Sequence, residues 1–396
     1  MFCLCHSSNN YLNRISFLIY LSSKLIIMIR KLNLIGAIVL FAFAASSQNL
    51  TTLPNGGNKK ASVSERIGIT DVTIHYDRPG VKGREGKIWN NLVHVGYKDL
   101  GFGTSKAAPW RAGANENTTI TFSTDVKVEG QPLKAGTYGF SIAMGNNDAT
   151  LIFSNNATSW GSFFYDPKED ALRVPVKTIA LNENVEWLKY EFMNEIDNSA
   201  VIALMWEKLK IPFKVEVDYV HTQMESYRRE LKSDIGFKSD AWQQAAQFAV
   251  DHNTNLDEAL QWSDYSLNGV FVGEKNFRNY ATRAAVLNKL GKTADADAAM
   301  KTAMPLASMQ ELHQYGRQLL QQKRNKEALE VFKMNAQKNP NQFTIYMGLA
   351  RGYSANGDYA NALKNAQLAL PLAPNQPNKD AVEKMIATLK EGKDIN

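Results

Sequence analysis

Apolar and polar residues alternate along most of the stretch from residue 62 to residue 218. The clearest case runs from Leu209 to Val217, where every second residue is apolar. Alternation with a period of two is typical of a β-strand that buries one face. About eight such segments, separated by turns, follow one another without a helical stretch between them. The pattern predicts an antiparallel β-sandwich or barrel over residues 62–218, with Pro212 indicating an edge strand.

The pattern changes at Tyr219, after which the apolar residues have helical spacing. Four similar segments carry a small residue at intervals of 37, 32 and 34, namely Ala259, Ala296, Ala328 and Ala362. A period near 34 with two short helices per unit resembles the tetratricopeptide repeat, in which a small residue is needed where the two helices cross. Helices of about a dozen residues are marginal alone, so stacking of the units must supply the core.

We therefore predict a tetratricopeptide-like helical array over residues 219–396, closed by a capping helix near 377–392. Two features depart from a regular repeat: Lys323 stands where the neighbouring units have Gly291 and Gly357, and the unit around Ala259 has a longer loop. Together with the preceding strands, the array gives a two-domain protein of the α+β class. Arrays of this kind usually dock peptides or proteins, so a protein partner is expected there.

Residues 1–47 have the composition of a leader. Met28 opens a positively charged M-I-R-K segment, about fourteen mostly apolar residues follow, and Ala45-Ser46-Ser47 offers small residues before Gln48. This is the pattern of a secretory signal peptide, and the apolar run is short for a spanning helix, which needs about 20 residues. We expect the true start at Met28, a flexible linker at 48–61, and a periplasmic or secreted protein with no stable membrane span after cleavage. The alternative is an uncleaved N-terminal anchor.

Composition narrows the function classes further. The formal charge is +6, but four of the positive charges lie before Gln48 with no acidic residue among them, which leaves +2 for the rest. The chain has no basic run that would indicate nucleic-acid binding. Its two cysteines, Cys3 and Cys5, also lie in the leader, so the mature chain has no disulfide and no thiolate metal site. No P-loop, H-E-x-x-H, G-x-S-x-G or C-x-x-C motif is present, and no cofactor is expected.

The best candidate site is the stretch W-R-A-G-A-N-E-N-T-T-I-T-F at residues 110–122. A tryptophan beside an arginine, an amide and an acid is a combination that sugar or peptide sites use, because a ring stacks while polar groups orient the ligand. The alternative is structural, since an Arg–Glu pair with an Asn in a turn can also pin a loop. The candidate ligand-binding residues are Trp110, Arg111, Asn115, Glu116, Arg78 and Arg84.

Two catalytic or metal alternatives are weaker. Glu116 and Asp77 could form a carboxylate pair of a hydrolase that acts on envelope glycan or peptide, which only their separation in space can decide. His75 and His94 could bind a metal, but no further ligand stands at a diagnostic spacing. We predict neither a catalytic residue nor a metal ligand. The leading hypothesis is a non-enzymatic binding or scaffold protein with a polar ligand or partner at the 110–116 loop.

Four motifs in order resemble the DUF2911 family, secreted proteins typical of Bacteroidetes whose function is not established. They are Y-D-R-P-G-V-K-G-R at 76–84, the W-R-A-G stretch, A-G-T-Y at 135–138 and W-G-S-F-F-Y-D-P-K-E-D-A-L-R-V-P-V at 160–176. The resemblance implies a secreted β-domain over about 62–218, with helical repeats after it in some members. One departure is that H-V-G-Y at 94–97 lacks the proline usual in the family, and about a dozen residues intervene before Trp110.

Overall fold

Two antiparallel sheets and then ten α-helices follow one another along residues 57–396, the part of the chain that the computed structural model describes. The strands are β1 Lys59–Ile67, β2 Thr70–Arg78, β3 Thr118–Phe122, β4 Val126–Val128, β5 Gln131–Leu133, β6 Gly136–Met144, β7 Asp148–Ser154, β8 Asp170–Lys177, β9 Ile179–Ile196 and β10 Ser199–Glu216. One sheet has the order β1-β2-β3-β6-β7-β8 and the other the order β5-β4-β10-β9. The predicted β-domain is thus confirmed as a sandwich.

The sandwich core follows from the alternation of side chains along the strands. In β3, Ile120 is fully buried and lies opposite Ile74 of β2 and Tyr138 of β6 in the register of the sheet. Across the two sheets, the rings of Phe140 and Phe213 lie 5.7 Å apart, and both are buried. Burying one face of each sheet against the other is the main stabilising contribution to such a domain.

The apolar segments 201–206 and 209–217 suggest two separate strands in the sequence, but β10 runs unbroken for 18 residues. Glu207 has a left-handed φ of 50°, and the pairing with β9 shifts on both sides of it, which marks a bulge between the two segments. The expectation that Pro212 marks an edge strand was wrong, since β10 lies between β4 and β9. Pro212 is tolerated because the pairing with β9 ends at Lys210 and the pairing with β4 begins at Val215.

The helical region contains α1 Tyr219–Glu230, α2 Ser239–Asp251, α3 Leu256–Asn268, α4 Phe277–Lys289, α5 Thr293–Ala303, α6 Met309–Gln321, α7 Asn325–Lys338, α8 Phe343–Ala355, α9 Tyr359–Ala369 and α10 Gln376–Lys390. The first helix begins where the sequence pattern changes, with Asp218 accepting a 3.0 Å hydrogen bond from the backbone of His221 as its N-cap. The helix α10 covers most of the range 377–392, where a capping helix is expected.

Four helix pairs repeat along this region: α2 with α3, α4 with α5, α6 with α7, and α8 with α9. The four alanines that define the period lie in the second helix of each pair and are at most 1% exposed. Their burial confirms that a small residue is needed where the helices cross. Between the two helices of each unit stands a residue with positive φ, and the series is Asn253, Gly291, Lys323 and Gly357.

Three sequence expectations concern the N-terminal part of the chain. The leader and most of the 48–61 linker lie outside the described residues. β1 begins at Lys59, three residues before the expected domain start. Among residues 57–396, none of the helices has the length and apolar character that crossing a membrane requires.

Candidate functional site

Trp110 lies in the sandwich core. Its backbone exchanges two hydrogen bonds with Ile142 of β6, at 3.0 and 2.7 Å, and so extends the sheet beyond the end of β3. Its ring is 9% exposed, packs edge-on against Trp89 and stacks on Trp206 at 6.2 Å. A ring enclosed by two other indoles has no free face for a ligand. The structural alternative therefore describes Trp110.

Arg111 lies under the loop that carries the W-G-S-F-F-Y motif. Its guanidinium is 5.7 Å from the ring centre of Phe163, and a Cβ atom on Gly161 would approach its Nη1 to 2.5 Å. Its Nε is buried and has no hydrogen-bond partner among residues 57–396. Burial lowers the pKa of Arg111, and the negative charge of Asp77 opposes that shift. Arg111 thus links the turn at 110–116 to the loop at 160–165.

The turn itself is fastened to the end of β2. The backbone N–H of Ala114 donates to the carbonyl of Asp77 at 3.2 Å, and that of Glu116 lies 3.4 Å from the Asp77 carboxylate. Asn115 has a φ of 52°, a conformation that asparagine tolerates well. The side chain of Glu116 is exposed, whereas Asp77 is only 3% exposed. The two carboxylates therefore differ sharply in their access to solvent.

Arg78 and Arg84 hold backbone groups in place. Arg78 donates from Nε to the carbonyl of Leu188 at 2.7 Å, which ties β2 to β9. Arg84 donates to the carbonyls of Val81 and Gly80, at 2.9 and 2.6 Å, and closes its own loop. Neither donates to a residue of the 110–116 turn. Arg78 and Arg84 thus act on backbone groups outside this turn.

The two histidines considered as metal ligands also differ in environment. His75 is exposed on β2, and His94 is half-buried, with its pKa lowered by burial. No set of three or more metal-ligating side chains is close enough to hold an ion anywhere in residues 57–396.

Exposed aromatic rings on two adjoining loops near Arg111 were missed in the sequence. We call this set the aromatic rim, and it consists of Tyr97, Phe102, Trp160 and Phe164, which are 42%, 65%, 57% and 44% exposed. Two loops build it, the insertion before Trp110 and the loop at 160–165. They are joined by a hydrogen bond of 3.0 Å from the backbone of Ser105 to the carbonyl of Phe163.

The rings of the rim are held from behind. Phe102 packs edge-on against Phe164, and Tyr97 stacks on Tyr165. The hydroxyl of Tyr165 donates to Asp170 at 2.7 Å and accepts a hydrogen bond from Arg173 at 2.7 Å. Burial, then the hydrogen bond to Asp170, raises the pKa of Tyr165 far above its usual value. The phenol therefore stays protonated and keeps this support in place. The signal available in the sequence was the run of aromatic residues in the W-G-S-F-F-Y motif.

A small polar cavity adjoins the rim. Its volume is about 20 Å³, which is enough for one water or one hydroxyl group. Neutral groups dominate its lining: Asn117, Ser141, Ser154, Asn156, Ser159 and Ser162, with Glu169 as the carboxylate. Trp160 stands between two of these residues in the chain. The arrangement can therefore place one ring of a ligand on an aromatic face while a hydroxyl enters the cavity.

A second cleft lies in the helical region, between the first helices of two successive units. Its volume is about 190 Å³. From α4 it is lined by Ala281, Ala284 and Ala285, and from α6 and its C-cap residue by Gln314, Gln318 and Gln322. The three glutamines follow one another at intervals of four and so lie along one side of α6. Their side-chain amides make no hydrogen bond to any residue in 57–396.

Residues 58–215 match the model of a family described as a protein of unknown function, DUF2911. The match extends from the start of β1 almost to the end of β10, and it confirms the resemblance read from the four motifs. No curated protein sequence matches the chain.

Solved structures match the helical region. YrrB, described as a TPR protein with an unusual peptide-binding site, is 19% identical over 42% of this chain and 84% of its own, with a TM-score of 0.29. MamA AMB-1 is 15% identical over 39% of this chain and 81% of its own, with a TM-score of 0.27. Residues 58–215 thus match DUF2911, a family of unknown function, and the helices after them are similar to those of tetratricopeptide-repeat proteins.

Proposed function

We propose that this protein is a binding scaffold whose helical array docks an extended segment of a partner protein in the cleft between α4 and α6. The observation that carries this is the row of Gln314, Gln318 and Gln322 along the cleft. Each amide offers both a donor and an acceptor, which is what the backbone of an extended peptide needs. The alanines of α4 leave room for the side chains of the guest.

The glutamines form a polar wall of the cleft, and the alanines of α4 form an apolar wall opposite them. A peptide strand lying between them would hydrogen-bond to the glutamines on one side and bury small apolar side chains against Ala281 and Ala284 on the other. The cleft therefore favours a peptide with small or aliphatic side chains.

We would test the proposed peptide binding by selecting peptides from a random phage-display library against the full chain. Gln318→Ala should weaken the selected peptides by about tenfold, since two hydrogen bonds are lost. Gln321→Ala is the matched control, because it removes an exposed glutamine of the same helix that does not line the cleft. Peptides that bind Gln318→Ala as tightly as the unmodified chain would contradict the proposal.

A second binding site on the β-domain is supported by the aromatic rim. Four exposed rings beside a cavity of neutral hydroxyl and amide groups suit a neutral, hydroxyl-rich ligand such as a glycan. Trp160→Ala should remove binding to the neutral members of a glycan array, whereas Ile196→Ala, an exposed apolar residue elsewhere in the domain, should not. An array without any Trp160-dependent signal would refute this second site.

A hydrolase that uses Glu116 and Asp77 has no supporting observation, because the Asp77 carboxylate is buried. Export through the leader and a place in the cell envelope are proposed from the signal-peptide pattern alone. Sequencing of the mature N-terminus should begin at Gln48, and an N-terminus at Met28 in the envelope fraction would support the anchor instead.

A further inference from the structure

The end of the chain folds back onto the array. Gly392, with a φ of +70°, ends α10 and turns the chain towards α8. The hydroxyl of Ser354 donates to the carboxylate of Asp394 at 2.6 Å and accepts a bond from the backbone of Ile395 at 3.1 Å. Ile395 also packs against the apolar cluster formed by α8, α9 and α10. Residues 394–396 therefore occupy the surface of α8 as a short bound peptide would.

The surface under this segment carries excess positive charge. Arg351 donates to the carbonyl of Ile395 at 3.4 Å. Burial lowers the pKa of Arg351 and Arg317 on α6 lowers it further, whereas Asp394 raises it, so all three charges lie within electrostatic reach. Arg317 is exposed and has no hydrogen bond or ion pair with any residue from 57 to 396. The guanidinium of Arg351 is thus acted on by one carboxylate and by one further positive charge, that of Arg317.

We propose that this surface of α6 and α8 is a docking site for a partner segment in which an acidic residue precedes an aliphatic one, and that residues 394–396 occupy it until such a segment displaces them. The proposal rests on the function proposed above and names the chemistry of a partner. The chain's own Asp394 and Ile395 show the class of side chains that the surface accepts. A partner with a second carboxylate would also reach Arg317, which the chain's own segment leaves without an ion pair.

The contacts of the bound segment are suited to exchange. Asp394 and Asn396 are exposed and Ile395 is half-buried, so little apolar area is lost when the segment leaves. A segment with few buried contacts opens at low cost in free energy. A tethered occupant competes at an effective concentration of about millimolar, so it lowers the apparent affinity of a partner without abolishing binding.

The test uses the hexapeptide E-G-K-D-I-N, which copies residues 391–396, labelled with fluorine and titrated by NMR. The full chain and a variant that ends at Gly392 are compared. The shortened variant should bind the peptide at least tenfold more tightly, and Asp→Asn in the peptide should remove most of that gain. Equal binding to both chains, or binding that ignores the Asp→Asn change, would overturn the proposal.

A second variant keeps the proposal testable if the shortened chain fails to fold. Asp394→Lys in the full-length chain should release the segment by repulsion from Arg351 and should also expose the site to the peptide. Arg317→Gln in the shortened chain should weaken the binding of a peptide with a further acidic residue directly beside the Asp more than that of E-G-K-D-I-N. Because Gln318 lines a different cleft, its variants report on the function proposed above and the tail variants report on this site. Peptide binding here with no library peptide selected at the α4–α6 cleft would refute the former alone.

Discussion

Trp110 and Trp206 lie face to face in the β-domain, with ring centres 6.2 Å apart and planes at 18° to each other. Trp206 is 1% exposed and Trp110 is 9% exposed. The residue that looked most like a ligand platform in the sequence therefore joins the loop at 110–116 to β10. Its role is to fix that loop, and Arg111 beside it, to the second sheet.

Trp110→Ala should destabilise the protein severely, by about 3–5 kcal/mol, because it leaves a large cavity among the three indoles. Urea unfolding followed by tryptophan fluorescence and circular dichroism measures the change. Trp160→Ala is the control, since that ring is 57% exposed and its loss should change the free energy of unfolding by about 0.5 kcal/mol or less. If the Trp110→Ala variant is as stable as the unmodified chain, Trp110 is not needed for the fold and becomes a candidate ligand contact again.

The sequence predicted the elements of the β-domain better than its site. Strand alternation is a local property, so the buried positions of β10 such as Ile211 and Phe213 were predictable. The burial of Trp110 depends instead on its pairing with Ile142, more than thirty residues away in the chain. Which aromatic rings stay exposed depends on the contact between two loops, and a motif such as W-G-S-F-F-Y cannot show by itself which of its rings the fold covers.

In the helical region, Gly348 and Gly352 of α8 face the ring of Phe332, which is 1% exposed. A Cβ atom on Gly348 would lie 2.6 Å from Cδ1 of that ring, and one on Gly352 would lie 2.8 Å from Cδ2. Both glycines are in the middle of a helix, where alanine would favour the helix by about 1 kcal/mol. Close approach to Phe332 is thus the reason for glycine here.

Gly348→Ala should therefore destabilise the array despite its better helix propensity, by about 1–3 kcal/mol, because the phenyl ring must shift out of its place. Thermal unfolding measures the effect. The double variant Gly348→Ala with Phe332→Leu should be more stable than the sum of the two single changes, since the smaller side chain makes room for the methyl group. Additive effects would mean that the ring already has space to move.

A change to glycine at Lys323 should have the opposite effect and raise the free energy of unfolding. Lys323 adopts a φ of 61° between α6 and α7, a conformation that costs a residue with a side chain about 1–2 kcal/mol and glycine almost nothing. Lys323→Gly should stabilise the chain by about 0.5–1 kcal/mol after the greater chain entropy of glycine is subtracted. Lys326→Gly, an exposed change three residues later inside α7, should instead destabilise by about 1 kcal/mol. Destabilisation by both changes would show that the side chain of Lys323 contributes to the fold.

The environment of His313 predicts that the free energy of unfolding depends on pH. Burial, then the charges of Arg317 and Arg351, lowers the pKa of His313 from 6.5 to about 4. The unfolded chain therefore takes up a proton that the folded chain refuses, so the free energy of unfolding should fall as the pH drops from about 6.5 towards 4. His313→Gln, which stays neutral, should lose less stability over this range in urea unfolding. Because carboxylates titrate in both proteins, the difference between the two profiles is the quantity to compare.

The Arg317→Gln variant distinguishes the effect of the Arg317 charge on the pKa of His313 from the effect of burial. Removing that guanidinium should raise the pKa of His313 towards 6.5 and so weaken the pH dependence, which NMR titration of the imidazole measures directly. Lys301→Gln, an exposed change on α5, serves as the control and should leave the titration where it was. If His313→Gln and the unmodified chain lose stability in parallel, the imidazole is not held neutral by its surroundings. An unchanged titration of His313 in the Arg317→Gln variant would instead assign the lowered pKa to burial and Arg351.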